Sequence, residues 1–351
     1  MRPWAWTLLL ASLPAWLPAR AAAVNAIEPP AAEFPAGDVW LNAKPLPLSR
    51  LKNRRAVLLA FINLANLNSL RALRVLMRLH EAYEFSGLMV IGVHTPLYGG
   101  FQKDPLWLRR RLKELGVEFP VVMDDDRRIW TAYANDGWPA FYLIDRKSRV
   151  AFSLLGEQRY AELETEARRA AEDAGYRLPS EELVSQDPPS VDCGEVSSER
   201  AAISTAPLVA IDSDPDVGVL TSQREGELSK RGLWEVDNDA LKLRQRNASL
   251  EASLRVIYRG SQAFAVLAPA LGQRTRFYLR QDGLWLHTGN TAADVEFDDD
   301  GRSYVVVSEP GLYELTRNPN DIFHALDVSP KQPGAKVYSF SFSDRCLRYE
   351  P

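Results

Sequence analysis

The chain has 351 residues, which is long for a single hydrophobic core, so two domains are expected. Its formal charge of −4 at pH 7, with 46% hydrophobic and 25% charged residues, is typical of globular proteins. The sequence has no basic excess and no polybasic run. This argues against a nucleic-acid-binding protein and against attachment to an anionic membrane surface.

The N-terminus has the pattern of a secretory signal. Arg2 precedes a short apolar stretch, and small residues follow up to Ala26. We therefore expect residues 1–26 to be removed on export and the mature protein to lie in the periplasm or cell envelope without spanning a membrane. An uncleaved anchor is the weaker alternative, because Pro14 and Pro18 interrupt a run already shorter than the roughly 20 residues of a membrane span.

Residues 38–176 alternate between apolar runs and helical patterns. The predicted order is strand 57–63, a helix from Leu70 that ends before Gly87, strand 88–95, helix 104–116, strand 119–124, a short helix 127–134, hairpin strands 140–145 and 149–155, and helix 159–175. Continuous apolar runs are typical of strands buried on both faces. The pattern predicts an α/β domain with a mixed sheet.

The second half of the chain has a different character. Residues 177–200 are rich in proline, serine and acidic residues and are predicted to be a linker. Over residues 201–351, short alternating runs are separated by Asp-Gly and Pro-Gly turn signals, which predicts an all-β sandwich of jelly-roll type. In its last run the rings of Tyr338, Phe340 and Phe342 are expected on one face and the serines on the other.

The sequence contains two cysteines, Cys193 and Cys346, and neither belongs to a Cys-x-x-Cys motif. In an oxidising compartment we expect them to form a disulfide, with two free thiols as the alternative. No spacing of histidine, cysteine and acidic residues fits zinc, and no metal or other cofactor is predicted. The acidic run 296–302 is interpreted as an Asp-Gly hairpin turn, with a calcium site as the alternative.

Several segments resemble DipZ-type proteins. Within residues 38–176 the similar segments are "WLNAKPLPLSRL", "FINLANLNSLR", "GLMVIGVHTP", "WTAYANDGWPAFYLID" and "GEQRYAELE". They resemble the thioredoxin-like redoxin domain of that family. The later segments "GLWEVDNDALKL", "GLYELTRNP" and "VYSFSF" resemble the β-sandwich that follows it, which is carbohydrate-binding-like in shape. The resemblance implies this two-domain fold over most of the chain.

The corner between the first long strand and its helix, residues 61–71, departs from the family. There the family has Cys-x-x-Cys followed by Leu-Arg. Here Leu70 and Arg71 are present, but Asn66 and Ser69 stand at the cysteine positions. Asparagine has no ionisable nucleophile, and serine needs a base to become one, so neither can cycle through a disulfide.

Trp138, Pro139 and His94 complete the predicted pseudo-active site. The resemblance implies that Pro139 follows a cis bond and lies against the corner. We interpret it as a turn that the fold requires, with a retained groove for an extended peptide as the alternative. His94 is interpreted as a structural strand-end residue. The alternative is a base for Ser69, although no carboxylate partner is visible in the sequence.

Taken together, these features favour a redox-inactive thioredoxin-like protein that binds a periplasmic polypeptide or glycan, and they lean against an enzyme. Two alternatives are open. One is an enzyme of the thiol-disulfide oxidoreductase family that uses a displaced thiol, Cys193 or Cys346, or Ser69 with His94. The other is a glycan-binding protein that acts through the β-sandwich.

Overall fold

The computed structural model describes residues 29–157, 159–179, 182–185, 211–212, 226, 228–237 and 239–343. The predicted signal 1–26, most of the predicted linker, and both Cys193 and Cys346 lie outside the described residues. The predicted disulfide therefore stays a prediction. None of the helices in the described ranges has the length and apolar character that a membrane span requires.

The N-terminal domain has the predicted α/β order. Its elements are β1 (Trp40–Leu41), α1 (Leu48–Leu51), β2 (Ala56–Ile62), α2 (Leu67–Tyr83), β3 (Leu88–His94), a 3-10 helix (Gly100–Lys103), α3 (Pro105–Glu114), β4 (Val121–Met123), α4 (Arg128–Ala132), β5 (Ala140–Ile144), β6 (Val150–Leu155) and α5 (Tyr160–Asp173). The strands form a 6-stranded sheet in the order β1-β4-β3-β2-β5-β6. The central strands β2, β3 and β4 are parallel, and the outer strands β1, β5 and β6 run antiparallel to their neighbours. This is the thioredoxin-like fold that the sequence predicts.

Strand β2 shows why the apolar runs are continuous. Leu58 and Ala60 point into a core shared with α2, α3 and α5, while Leu59 and Phe61 point into a second core shared with α1 and α4. Because successive side chains of a strand face opposite sides, a sheet covered on both faces needs apolar residues at every position. Strand β2 is accordingly buried along its whole length.

Residues 182–185 fall inside the predicted linker, but they pack against α5. The backbone N–H groups of Val184 and Ser185 donate hydrogen bonds to the carboxylate of Glu164, and the Ser185 hydroxyl donates to the same carboxylate. Glu164 and Ser185 are both buried. A composition rich in proline and serine does not reveal such local docking, because it depends on an acceptor supplied by a distant helix.

The C-terminal domain is all-β, as predicted. Its strands are β7 (Ile211–Asp212), β8 (Leu228–Arg231), β9 (Trp234–Asp237), β10 (Ala240–Leu243), β11 (Ser253–Ala268), β12 (Thr275–Gln281), β13 (Leu284–Trp285), β14 (Val295–Phe297), β15 (Ser303–Val307), β16 (Gly311–Pro330) and β17 (Lys336–Ser343). They are joined in one 11-stranded, mainly antiparallel sheet. The long strands β11 and β16 pair along most of their length, with register shifts near Gly260 and Ala263. Such irregularities let a long strand bend and pair with different neighbours along its two halves.

The acidic run between β14 and β15 forms the predicted hairpin turn. The Asp298 carboxylate accepts hydrogen bonds from the backbone N–H groups of Asp300 and Arg302. Gly301 adopts a positive φ of 73°, a conformation that glycine takes readily. The Asp298 side chain thus stabilises the turn.

Candidate functional site

The corner is held by the two side chains that stand at the cysteine positions. Asn66 caps α2, and its Oδ1 accepts a hydrogen bond of 2.9 Å from the Ser69 backbone N–H. The Ser69 Oγ accepts a hydrogen bond of 3.1 Å from the Asn63 backbone N–H, and Ser69 is fully buried. Both residues therefore satisfy backbone donors where the chain leaves the sheet and enters the helix, which is a structural role.

A buried amide pair, Asn63 and Gln102, lies beneath the corner and was not singled out from the sequence. The Gln102 Nε2 donates to the Asn63 Oδ1 at 2.9 Å. The Asn63 Nδ2 donates to the Gln102 Oε1 at 3.2 Å and to the Thr95 carbonyl at 3.0 Å. The Gln102 Oε1 accepts from the backbone N–H groups of Leu97 and Tyr98. Both amides are completely buried and hydrogen-bonded. They therefore fix the corner that follows β2 relative to the loop that follows β3. The available signal was Asn63, a polar residue directly after a fully apolar strand.

His94 ends β3 and is completely buried. Its Nε2 lies 3.3 Å from the Gln102 carbonyl oxygen, and its Nδ1 has no hydrogen-bond partner among the described residues. Burial lowers the pKa of His94 to about 4. The described hydrogen bonds do not join His94 to Ser69, whose hydroxyl is engaged with Asn63. This arrangement supports the structural interpretation of His94 and gives no support to a serine–histidine pair.

The lowered pKa of His94 predicts a pH-dependent loss of stability. The unfolded chain binds this proton from about pH 6.5 downwards, whereas the folded chain does not until about pH 4. Folding is therefore stabilised above pH 6.5, and the free energy of unfolding falls as the pH drops through this window. Between pH 7.5 and 5.0 we expect His94 to account for a loss of about 2 kcal/mol.

Urea unfolding of the wild type and of His94→Gln at both pH values measures this contribution. Other buried groups titrate in both proteins, so their effects cancel in the difference. An identical pH dependence of the two proteins would show that His94 does not titrate as its burial requires.

The Trp138–Pro139 peptide bond is cis, and Pro139 is buried next to the corner, one residue before the β5 strand that pairs with β2. Its carbonyl accepts a hydrogen bond of 2.8 Å from the Gly156 N–H. The Trp138 ring packs against Trp130 with a centroid distance of 4.5 Å. The pairing of Ala140 with Phe61 places Pro139 near the end of β2, where the corner begins. Its position against Asn66 and Ser69 stays a prediction.

The C-terminal domain packs directly on the corner. Ala65 and Tyr98 from the first domain form one buried apolar cluster with Val266 of β11, and Leu312 and Tyr338 pack against the same cluster. Val266 has no exposed surface, although its neighbours along β11 point into the core of the β-domain. The last eight residues of β11 are buried on both faces because one face meets the other domain.

Polar contacts reinforce this interdomain interface. Arg71 donates to Ser343 of β17 at 2.6 Å and forms an ion pair of 3.1 Å with Glu157. The Arg71 and Glu157 side chains retain only 9% and 8% of their exposure. Further interdomain hydrogen bonds join Tyr98 to Ser339, Trp107 to the Pro310 carbonyl and the Gly99 N–H to Asp239.

These contacts define what the corner can do. Neither of its substituted residues is an activated nucleophile, and Ser69 is both buried and hydrogen-bonded. The second domain also occupies the space next to Ala65 that an approaching polypeptide would need. In the described part of the chain, no group of His, Cys, Asp and Glu side chains is arranged to hold a metal ion. At the two cysteine positions, Asn66 and Ser69 provide no thiol for disulfide exchange.

The sequence matches known proteins in two ways. A family model described as "Thioredoxin like C-terminal domain" matches residues 201–343. The DipZ proteins of Mycobacterium tuberculosis and Mycobacterium bovis are 39% identical over 145 residues, which is 40% of this chain and 21% of theirs. SUPPRESSOR OF QUENCHING 1 of Arabidopsis thaliana is 29% identical over 125 residues, which is 36% of this chain and 12% of that protein. The chain therefore spans about a fifth or less of the length of these curated relatives.

Two solved structures are similar to part of this chain. A putative thiol:disulfide interchange protein DsbE from Chlorobium tepidum has 19% identity and a TM-score of 0.36, over 41% of this chain and 96% of that one. A thiol-disulfide isomerase from Corynebacterium glutamicum has 21% identity and a TM-score of 0.37, over 40% of this chain and 96% of that one. From the strand order, the cis-proline and the sequence matches, we conclude that a thioredoxin-like domain similar to part of DipZ is followed here by a β-domain of the kind that accompanies thioredoxin-like proteins.

Proposed function

We propose that this is a redox-inactive thioredoxin-like protein of the cell envelope that binds a polypeptide partner. The observation that carries the proposal is the chemistry of the corner. Asn66 and Ser69 stand where disulfide exchange needs two sulfurs, and both side chains are committed to backbone hydrogen bonds. Without a thiolate no mixed disulfide can form, so the domain retains only its shape and its hydrogen-bonding groups.

The interdomain interface argues against catalysis at the corner. A redox enzyme must expose its reactive corner to protein substrates, whereas this corner packs against Val266 and Leu312 of the second domain. Placement in the envelope is supported by the signal-like pattern of residues 1–26.

An insulin-reduction assay on the purified mature protein tests the proposal. With dithiothreitol as reductant, we expect insulin to precipitate no faster than in a reaction without protein, because the corner cannot accept electrons. Turnover above that background would contradict the proposal. The double variant Cys193→Ser/Cys346→Ser then identifies the source: turnover that disappears in it comes from a displaced thiol, and turnover that persists comes from another group.

A further inference from the structure

A cleft of about 440 Å³ opens on the face of the β-domain sheet that points away from its core. Its lining comes from the start of β12, from β14 and β15, and from the residues that follow β16: Arg274, Arg276, Glu296, Val306, Lys331 and Gln332. Among the described residues, none from the corner or from the interdomain apolar cluster belongs to this lining. The cleft is therefore a feature of the β-domain alone, and its chemistry is separate from that of the corner.

The start of β12 alternates between core and surface and so aligns two arginines. Thr275 and Phe277 are fully buried, whereas Arg274 and Arg276 are exposed. Side chains two residues apart in a strand point to the same face and lie about 7 Å apart along it. Lys331 lies beside them, because its backbone N–H donates a hydrogen bond of 3.0 Å to the Arg276 carbonyl. The three cations therefore surround one cleft.

Aromatic rings hold two of these cations in place. The Arg276 guanidinium lies 4.5 Å from the centroid of the Tyr304 ring, and its hydrogen bond to the Tyr278 hydroxyl raises the pKa of Arg276. The Lys331 Nζ lies 5.9 Å from the centroid of the Tyr278 ring. Both rings are buried, so they provide a rigid support. A cation already held over a ring loses less conformational freedom when it binds a ligand.

Within the described part of the chain, Arg274, Arg276 and Lys331 form no ion pair with a carboxylate. Other arginines of the same domain do have such partners. Arg255 pairs with Asp327 at 2.8 Å, for example. The charges around the cleft are therefore not neutralised by direct contacts.

The carboxylates near the cleft are already engaged. Glu296 lines it and accepts a hydrogen bond of 3.0 Å from the Tyr304 hydroxyl. Asp298 accepts hydrogen bonds from two backbone N–H groups of its turn and lies 3.8 Å from Arg302. Among the described residues that line the cleft, three cations face the one carboxylate of Glu296. The cleft therefore carries a net positive charge and attracts an anionic group.

The geometry favours the carboxylates of a peptide over those of an acidic sugar. A sugar ring stacks on an open aromatic face, whereas the Tyr278 and Tyr304 rings are buried and have cations over them. An extended peptide presents alternate side chains at the same spacing of about 7 Å as Arg274 and Arg276. Two carboxylates two residues apart can therefore each face one guanidinium, and such charge-assisted hydrogen bonds are strong.

We propose that this cleft binds an acidic, extended segment of a partner polypeptide through two carboxylates at alternate residues, which face Arg274 and Arg276 with Lys331 beside them. This inference rests on the proposed binding function and specifies the chemistry that the partner must supply. Because the cleft lies outside the interdomain apolar cluster, the partner binds without separating the two domains.

Titration of the ¹⁵N-labelled mature protein with short blocked peptides tests the proposal. The main probe is acetyl-Gly-Asp-Ser-Asp-Gly-amide, and its neutral match carries asparagine in place of both aspartates. A third peptide, acetyl-Gly-Ser-Asp-Asp-Gly-amide, has the same charge with adjacent carboxylates. We expect the main probe to shift the backbone amide signals of Arg276, Val306 and Lys331, the adjacent peptide to bind more weakly, and the asparagine peptide to leave the signals unchanged. Inorganic phosphate and trigalacturonate are expected to bind more weakly than the main probe.

Three variants separate the cleft from general surface charge. Arg276→Gln removes one of its cations and is expected to weaken binding of the main probe roughly tenfold or more. Arg274→Gln, which disturbs no described ring contact, should have a similar effect. Arg280→Gln is the matched control, because Arg280 is also held over a ring, that of Trp285 at 4.3 Å, but lies outside the cleft. It is about 14 Å from Arg276 along the strand, beyond the Debye length, so its effect should be less than about threefold. Thermal unfolding of each variant verifies that it is folded.

The proposal is overturned if the main probe shifts none of these amides, if the asparagine or the adjacent peptide binds equally well, or if Arg280→Gln weakens binding as much as the cleft variants do. Trigalacturonate or phosphate binding as tightly as the main probe would also overturn it, because the ligand would then be an acidic sugar or a simple anion. Each of these results leaves the insulin assay unaffected, since that assay depends on Asn66 and Ser69. Redox inactivity can therefore hold while the cleft proposal fails, and the reverse.

Discussion

Replacing Arg71 with methionine is expected to lower the free energy of unfolding by about 3–5 kcal/mol, because it leaves a buried carboxylate without its partner. Burial already raises the pKa of Glu157, and Arg71 is the group that opposes this. The same guanidinium also bonds to Asn68 and to Ser343 of the second domain. Urea denaturation of the mature protein at neutral pH, followed by tryptophan fluorescence, measures the loss.

Two controls distinguish the buried ion pair from a general loss of charge. Arg159→Met removes an exposed cation paired with Glu162 at 2.7 Å and should lower the free energy of unfolding far less than Arg71→Met does. The double variant Arg71→Met/Glu157→Met removes both buried charges and should recover a large part of the loss. Equal destabilisation by Arg71→Met and Arg159→Met would show that the buried Arg71–Glu157 ion pair contributes no more than a surface pair.

Restoring sulfur at the corner, with Asn66→Cys and Ser69→Cys together, is expected to restore a disulfide but not the reduction of insulin. The helix N-terminus lowers the pKa of a thiol placed at residue 66, which is partly exposed, so a small reagent can reach it. A folded protein substrate needs more space than the interface with Leu312 and Val266 leaves. Reaction with a small aromatic disulfide measures the reactivity of the corner thiols. The turbidity of precipitating insulin measures whether the same corner reduces a protein substrate.

A third substitution tests whether the second domain is the obstacle. Adding Leu312→Asp to the double-cysteine variant places a charge in the apolar interdomain layer, which should weaken domain contact and allow insulin turnover. The single variant Leu312→Asp, without the cysteines, should remain inactive. Rapid insulin reduction by the double-cysteine variant with an intact interface would refute steric exclusion at the corner.

The fold of each domain could be predicted from the sequence because local patterns determine it. The apolar run that forms β2 and the helical spacing of α2 depend on residues that are close in the chain. The cis bond before Pro139 followed from the resemblance, and the structure contains it. The start of the linker at residue 177 was harder to predict. Ser185 lies within the predicted linker but binds Glu164 of α5, and amino-acid composition does not indicate such a contact.

Strand β17 shows where alternation misleads. The sequence predicts Tyr338, Phe340 and Phe342 on one face, but a register shift places Val337 in the β-core, while Tyr338 packs against Tyr98 of the first domain. A single extra residue in a strand reverses the faces of all residues on one side of it. Ser339 and Ser343 face away from the core rings of Phe340 and Phe342, and they form hydrogen bonds across the interdomain interface.

The polar residues at the candidate site were the least predictable. Asn63 and Gln102 are far apart in sequence, and each alone reads as an ordinary loop residue. They form a buried, hydrogen-bonded pair only because the fold places the ends of β2 and β3 side by side.

The apolar face that β11 and β17 turn toward the first domain determines how the halves of the chain can be separated. Produced alone, the β-domain would expose an apolar patch formed by Val266, Leu312 and Tyr338. Exposed apolar patches promote self-association. The first domain, produced alone, would expose Ala65 and Tyr98. We therefore expect the two halves to unfold together, and we expect either half produced alone to be less soluble than the full chain.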